Sequence, residues 1–83
     1  MQNDAMTQKV HTVNVIEYVN DSVLSVRAFT DNETGNREAE ILFFDLVRKN
    51  DGDIMLDEDI EEAISDGFWN DDNGYEIYLV HSN

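Results

Sequence analysis

The sequence predicts a small α+β domain in which two helices lie on one face of a three-stranded antiparallel sheet. Stretches rich in β-branched residues occur near the start and at the end of the chain, and stretches with helical apolar spacing lie between them. The 83 residues, 41% of them hydrophobic, suffice for one modest core. The predicted element order is ββααβ, in a single domain over residues 9–83 that follows a flexible N-terminus over residues 1–8.

Two strands joined by a tight turn begin the predicted domain. Residues 11–19 (HTVNVIEYV) and 22–30 (SVLSVRAFT) are rich in β-branched residues, with partial alternation of apolar and polar positions. Asn20 and Asp21 separate the two stretches. Because Asn and Asp tolerate the positive φ of a two-residue hairpin turn, we expect a β-hairpin here.

A helix is predicted over residues 37–50, after the polar loop 31–36. Asn36 is its expected N-cap, and acidic residues in the first turn and basic residues in the last turn suit the helix dipole. Ile41 and Phe44 lie off its apolar stripe, which indicates a second buried face, a partner, or a strand over residues 38–44 instead of a helix. The stripe consists of Ala39, Leu42, Phe43, Leu46 and Val47.

A second helix is predicted over residues 56–69 and a final strand over residues 75–82. Asp57 is the expected N-cap of this helix, and Gly67 is expected to stop it. The turn cluster 70–74 leads into the strand. The residues expected to face the core are Ile60, Ala63 and Ile64 on the helix, and Tyr75, Ile77 and Leu79 on the strand.

The charge of the chain is strongly negative and unevenly distributed. Nineteen acidic residues and five basic residues give a formal net charge of −14, and residues 50–83 contain eleven acids and no base. Such a surface repels nucleic acid and anionic membranes and attracts basic protein surfaces, so we expect no direct binding to DNA, RNA or membranes. No stretch approaches the roughly 20 apolar residues of a membrane helix, and we expect a soluble, cytoplasmic protein.

The sequence has no recognisable catalytic signature. Cysteine is absent, which excludes disulfides and thiolate metal sites. His11 and His81 lack the HxH or HExxH spacing of zinc ligands, and there is no glycine-rich phosphate loop. The serines lack the surroundings of a nucleophile. We therefore expect a non-enzymatic protein with no cofactor and no metal.

A stretch around Gly52 resembles the second half of an EF-hand calcium loop. Aligning Gly52 with the invariant glycine of that loop puts Glu58 at a ligand position, but it also puts Val47 and Lys49 where oxygen ligands are required. The missing carboxylate and the ammonium group should abolish useful affinity. We expect instead that Gly52 ends one helix and that Asp57 caps the next.

The second helix carries more acidic residues than helix stability favours. Acids in its first turn are stabilised by the helix dipole. Glu58, Glu62 and Asp66, however, are like charges spaced four residues apart, at a cost of about 0.2–0.5 kcal/mol for each adjacent pair. This bias indicates a functional acidic surface. Of the aromatic neighbours Phe68 and Trp69, one is expected in the core and the other partly exposed.

In its size, charge, lack of cysteine and acidic stretch over residues 51–72, the chain resembles the small acidic inhibitors of phages and mobile elements, the anti-CRISPR and anti-restriction DNA mimics. The resemblance implies an inhibitor in the host cytoplasm whose carboxylates replace phosphates on the nucleic-acid-binding surface of a CRISPR–Cas complex or another defence protein. The expected partner-binding residues are Asp57, Glu58, Asp59, Glu61, Glu62, Asp66, Trp69, Asp71 and Asp72.

Other hypotheses fit the same sequence. An acidic adaptor or subunit would bind a basic partner through an aromatic and apolar patch that includes Ile41, Phe44 and Trp69, with charge serving only to steer the encounter. A homodimer could form through Ile41 and Phe44. A salt-tolerance adaptation of an ordinary small protein would also produce a strongly acidic surface.

Overall fold

A computed structural model describes residues 11–52 and 54–82, which form a four-stranded antiparallel sheet and two helices. The order of the strands in the sheet is β2–β1–β4–β3. The α+β class is confirmed, but the expected three-stranded sheet is wrong because a short strand was missed. The expected flexible segment 1–8 lies outside the described residues. The elements are β1 (Thr12–Val19), β2 (Ser22–Thr30), α1 (Glu33–Asp51), α2 (Asp57–Asp66), β3 (Phe68–Asn70) and β4 (Tyr75–Ser82).

The predicted hairpin is confirmed. β1 and β2 pair along their whole length, with a register shift at Glu17 and Tyr18. Asn20 and Asp21 both have positive φ, 51° and 70°, as a tight hairpin turn requires. β1 also pairs with β4, from Thr12 opposite Ser82 to Val19 opposite Tyr75, and is therefore a central strand.

The core lies between one face of the sheet and the two helices, as the sequence predicted. We call this face of the sheet the inner face. Alternate residues of β1 and β4 point to it, and α1 and α2 cover it. Glu17, an acidic residue on the inner face, accepts hydrogen bonds from the hydroxyl groups of Tyr75 and Ser25. The buried hydrophobic residues are Val13, Val15, Ala39, Phe43, Val47, Ile60, Ala63, Tyr75 and Ile77.

α1 begins earlier than predicted. Its N-cap is Asn32, whose side chain accepts a hydrogen bond from the Gly35 backbone N–H at 2.7 Å, and the expected Asn36 cap is wrong. A Cβ at Gly35 would overlap the Thr30 carbonyl oxygen, so glycine lets the first turn pack directly against the end of β2. Asn36 instead donates to Asp31 Oδ1 at 2.6 Å. The alternative strand over residues 38–44 is also wrong, because this stretch lies within α1.

Of the two helix ends predicted for the connection between the helices, one is confirmed and the other is wrong. Gly52 ends α1 in the left-handed conformation, as expected, and its N–H donates to the Arg48 carbonyl oxygen at 3.1 Å. The expected Asp57 cap is wrong. Leu56 occupies the N-cap position of α2 without a side-chain hydrogen bond, and the Asp57 carboxylate pairs with the Arg48 guanidinium.

β3 replaces the predicted end of α2. Gly67 ends the helix in the left-handed conformation, as predicted, but its carbonyl oxygen then accepts the Leu79 N–H at 2.9 Å. Phe68 and Trp69 consequently pair with β4 instead of extending the helix to residue 69. The helix–strand transition therefore depends on a close approach between Gly67 and β4.

We expect Gly67→Ala to destabilise the protein more than Gly52→Ala does. Both glycines have almost the same φ, 76° and 75°, so both substitutions incur the left-handed penalty of about 1–2 kcal/mol. A Cβ at Gly67 would also lie 2.9 Å from the Leu79 carbonyl oxygen, whereas one at Gly52 meets nothing within 4 Å. Urea unfolding should show an additional loss of about 1 kcal/mol or more for Gly67→Ala. Equal losses would contradict a tight contact between Gly67 and β4.

Candidate functional site

Six carboxylates cover the solvent-facing side of α2. Ile60 and Ala63 are buried against the core, and the helix repeat directs every acid of α2 away from it. All six acidic residues are exposed. We call them the α2 acidic surface: Asp57, Glu58, Asp59, Glu61, Glu62 and Asp66.

One residue of this surface is engaged by a base. Arg48 pairs with Asp57, donates to the Met55 carbonyl oxygen at 2.6 Å, and lies over the Phe44 ring with 5.4 Å between its guanidinium carbon and the ring centroid. Arg48 thus ties the end of α1 to the start of α2. Within the described part of the chain, no ion pair involves Glu58, Asp59, Glu62 or Asp66.

The β3–β4 loop contains two of the predicted binding residues, with different local roles. The Asp71 carboxylate accepts hydrogen bonds from the backbone N–H groups of Asn73 at 2.7 Å and Tyr75 at 3.1 Å, so it shapes the loop. Asp72 is exposed, with a φ of 63°. Both acids line a cleft that Asp51 also borders, near the connection between the helices. The loop therefore extends the acidic region near the start of α2.

The two aromatic residues of β3 lie on opposite faces of the sheet. Trp69 packs against the core, with its ring centroid 6.2 Å from that of Tyr75. Phe68 is 36% exposed on the other face, where its ring centroid lies 5.0 Å from that of Tyr78. The sequence predicted one of these aromatic residues in the core and the other partly exposed, and the structure confirms this. Trp69, named as a partner-binding residue, is the inner one and also supports the fold.

A groove of about 600 Å³ lies beside the acidic surface, between α1 and α2 and above β4. Ile41, which is 54% exposed, and the half-buried Phe44 line it, and this explains why both residues depart from the apolar stripe of α1. Of the lining residues outside α1, the sequence predicted only Glu61 as a binding residue. It did not indicate the others, because their approach depends on the packing of the helices. The lining comprises Ile41, Phe44, Ile64 and Leu79, with Glu40, Asp45, Glu61, Arg37, Ser65 and His81.

The stretch that resembles a calcium loop has a structural role here. The Asp51 carboxylate accepts hydrogen bonds from the backbone N–H groups of Ile54 at 2.8 Å and Met55 at 2.5 Å, which orders the turn between the helices. Residues 11–52 and 54–82 contain no group of three or more His, Cys, Asp or Glu side chains that could hold a metal ion.

His81 contacts the loop before α1. Its Nδ1 lies 3.4 Å from Asp31 Oδ2. The hydrogen bond from Asn36, followed by the one from His81, lowers the pKa of the Asp31 carboxyl below its usual value. These contacts link the end of β4 to the start of α1. Neither α1 nor α2 has the length and apolar character that a membrane span requires.

The chain was compared with protein-family models, curated proteins and solved structures, and nothing matched. What bears on function is therefore the chemistry of the described surface. That surface offers clustered carboxylates on a rigid helix and an apolar groove next to them.

We expect Glu62→Lys to stabilise the protein. This substitution replaces two like-charge pairs, with Glu58 and Asp66, by two opposite-charge pairs at the same spacing, for a gain of about 1 kcal/mol. Glu38→Lys is the matched control. It changes the net charge equally, but the residues four positions away are Thr34 and Leu42.

Thermal unfolding at low and high salt measures the difference between these two variants. The advantage of Glu62→Lys should shrink as salt screens the charges. An equal gain for both variants would mean that the total charge of the chain, and not local repulsion along α2, limits its stability.

Proposed function

We propose that this protein is a non-enzymatic inhibitor that covers the nucleic-acid-binding surface of a basic protein, with the α2 acidic surface in place of phosphates. The density of exposed carboxylates is the observation that carries this proposal. The ten residues of α2 rise about 15 Å, so the five acids other than Asp57, which pairs with Arg48, provide about one charge per 3 Å. Duplex DNA carries one charge per about 1.7 Å of axis, and a single strand one per about 3.4 Å. The charge density along the helix therefore lies between that of a single strand and that of duplex DNA.

The arrangement of these charges also suits such a partner. Glu58, Glu62 and Asp66 follow one another at about 6 Å of rise along one side of α2, held by a helix that is anchored to the core. Their mutual repulsion is a cost in the free protein. A partner groove lined with lysine and arginine would relieve that repulsion, so binding gains from both attraction and relief.

The class of partner follows from this chemistry. It is a protein with a positively charged nucleic-acid channel, such as a CRISPR–Cas complex or a restriction nuclease, and inhibition requires no chemical step by this chain. The host cytoplasm, where such defence proteins act, is the corresponding location. Asp72 and Asp71 in the β3–β4 loop would extend the contact beyond α2.

Capture of partners from a cell lysate treated with nuclease tests the proposal. The Glu58→Gln/Glu62→Gln variant should lose most of the captured protein, because two adjacent charges of the α2 acidic surface are removed. Glu33→Gln/Glu38→Gln is the matched control. It removes the same charge from α1, also with one first-turn acid and one acid further along the helix, and should retain the partner.

Salt and competition complete this test. Capture by the unmodified protein should fall steeply as salt rises, and the captured protein should bind duplex DNA or RNA in competition with this chain. Equal capture by both double variants, or a partner that binds nucleic acid and this chain simultaneously, would contradict mimicry.

The groove between the helices supports a second candidate function, an acidic adaptor. Its apolar lining by Ile41 and Phe44 could accept an aliphatic or aromatic side chain of a basic partner, while Glu40, Asp45 and Glu61 lie around it. Charge would then steer the encounter, and the groove would supply the affinity.

For the adaptor, Ile41→Ala should release the partner, because it removes exposed apolar surface from the groove. Glu58→Gln/Glu62→Gln should mainly slow association. Surface plasmon resonance with the captured partner separates these effects as dissociation and association rates. Unchanged dissociation of the Ile41→Ala variant would exclude the groove as the binding site.

A further inference from the structure

The sheet face that points away from the helices is apolar and uncovered within the described part of the chain. The strand registers bring Val26, Ile16, Tyr78 and Phe68 into a single row across all four strands. Val26 at the β2 edge is 54% exposed and Phe68 at the β3 edge is 36% exposed. Each of the four strands thus contributes one apolar side chain to a continuous stripe.

Further apolar residues widen this stripe. Tyr18 lies opposite Val23, which is 57% exposed, and the rings of Tyr18 and Tyr78 meet edge to face at 5.5 Å. Val80, two residues after Tyr78 on β4 and on the same face, is 41% exposed. We call this set the open sheet face: Ile16, Tyr18, Val23, Val26, Phe68, Tyr78 and Val80.

The open sheet face is also nearly free of charge. Strand alternation puts one ionisable acid, Glu76, on this side among the paired residues of the four described strands, and Asp21 lies close to it in the hairpin turn. The carboxylates of α1 and α2, by contrast, lie on the helix side. In a chain of net charge −14, this is the surface on which a second copy meets the least repulsion.

We propose that the open sheet face is the interface of a symmetric homodimer. A two-fold axis through the centre of the face would bring the apolar row of one copy onto that of the other, so the patch is complementary to itself. Face-to-face packing of two sheets is a common way to bury such surfaces. Tyr18 and Tyr78, with large rings and polar hydroxyl groups, suit an interface that is apolar at its centre and wet at its rim.

The size of the face sets the strength of this dimer. At about 4.8 Å between strands and 3.4 Å per residue, the four strands cover about 450 Å² per copy, or about 900 Å² in total. Stable interfaces bury about 1,200–2,000 Å², and weak ones less. The dimer is therefore concentration-dependent, and the repulsion between two acidic chains weakens it further at low salt.

The geometry favours this face over the groove lined by Ile41 and Phe44. Three carboxylates and one guanidinium surround those two residues, so pairing two copies there would bring together an excess of negative charge. These groups are Glu40, Asp45, Glu61 and Arg37. Pairing through the open sheet face leaves α2 of each copy on the outside. The dimer would then present two α2 acidic surfaces that face in opposite directions.

Sedimentation velocity over a range of protein concentrations, at low and at high salt, tests the proposal. The dimer fraction should rise with protein concentration and with salt, because salt screens the repulsion and does not weaken apolar contacts. A monomer under all conditions, or a dimer that dissociates as salt rises, would overturn it. The opposite salt dependence expected for a basic partner keeps this result separate from the proposed inhibitory function.

Two variants locate the interface. Val26→Glu puts a charge on the open sheet face and should abolish the dimer. Ile41→Glu is the matched control, because Ile41 is also 54% exposed and the charge change is identical, and it should leave the dimer intact. The reverse result would assign the interface to α1 and overturn the proposal. Val26→Thr keeps a β-branched side chain and should weaken the dimer severalfold without disturbing β2, as judged by urea unfolding.

A different protein could occupy the same face. In that case the chain would stay monomeric, and Val26→Glu would remove a protein that the unmodified chain captures from lysate. This outcome would also overturn the homodimer. If the Val26→Glu variant is monomeric and still captures the partner through α2, dimerisation and inhibition use separate surfaces.

Discussion

Antiparallel pairing of β4 with β1 is the constraint on which the rest of the structure depends. It brings together segments from near the two ends of the chain, with Thr12 opposite Ser82, and makes β1 and β4 the central strands. The pairing places Val15 opposite Leu79 and puts Ile77 on the same inner face, where the helices cover these residues. Each strand then alternates between a buried side and an open side, so the same register that builds the core also creates the outer apolar row.

The acidic helix depends on this core for its existence. A ten-residue helix is too short to be stable alone, and repulsion among its carboxylates weakens it further. Burial of Ile60 and Ala63 against the sheet, the ion pair between Asp57 and Arg48, and the left-handed Gly67 hold it in place. The fold can therefore present a density of negative charge that the helix would not sustain in isolation.

The two faces of the molecule have opposite physical character. The helix side has clustered carboxylates, and salt would weaken the proposed attraction of this side to a basic partner. The open sheet face has an apolar row, and salt would strengthen the proposed dimer by screening the repulsion between copies. The sequence revealed the first face, since an acidic run is visible in the order of residues. It did not reveal the second, because Val26, Ile16, Tyr78 and Phe68 become neighbours only through strand pairing.

The sequence by itself determined the elements whose signals are local: the hairpin turn, three of the strands, the existence of both helices, their glycine ends, and the acidic run of α2. Tertiary structure decided what depends on distant backbone. α1 starts at Asn32 because Gly35 fits against β2, and β3 forms because Gly67 bonds to Leu79. The pairing of β3 with β4 also turns Trp69 towards the core. No local sequence pattern predicts this pairing, because hydrogen bonds between strands join residues that are distant in the sequence.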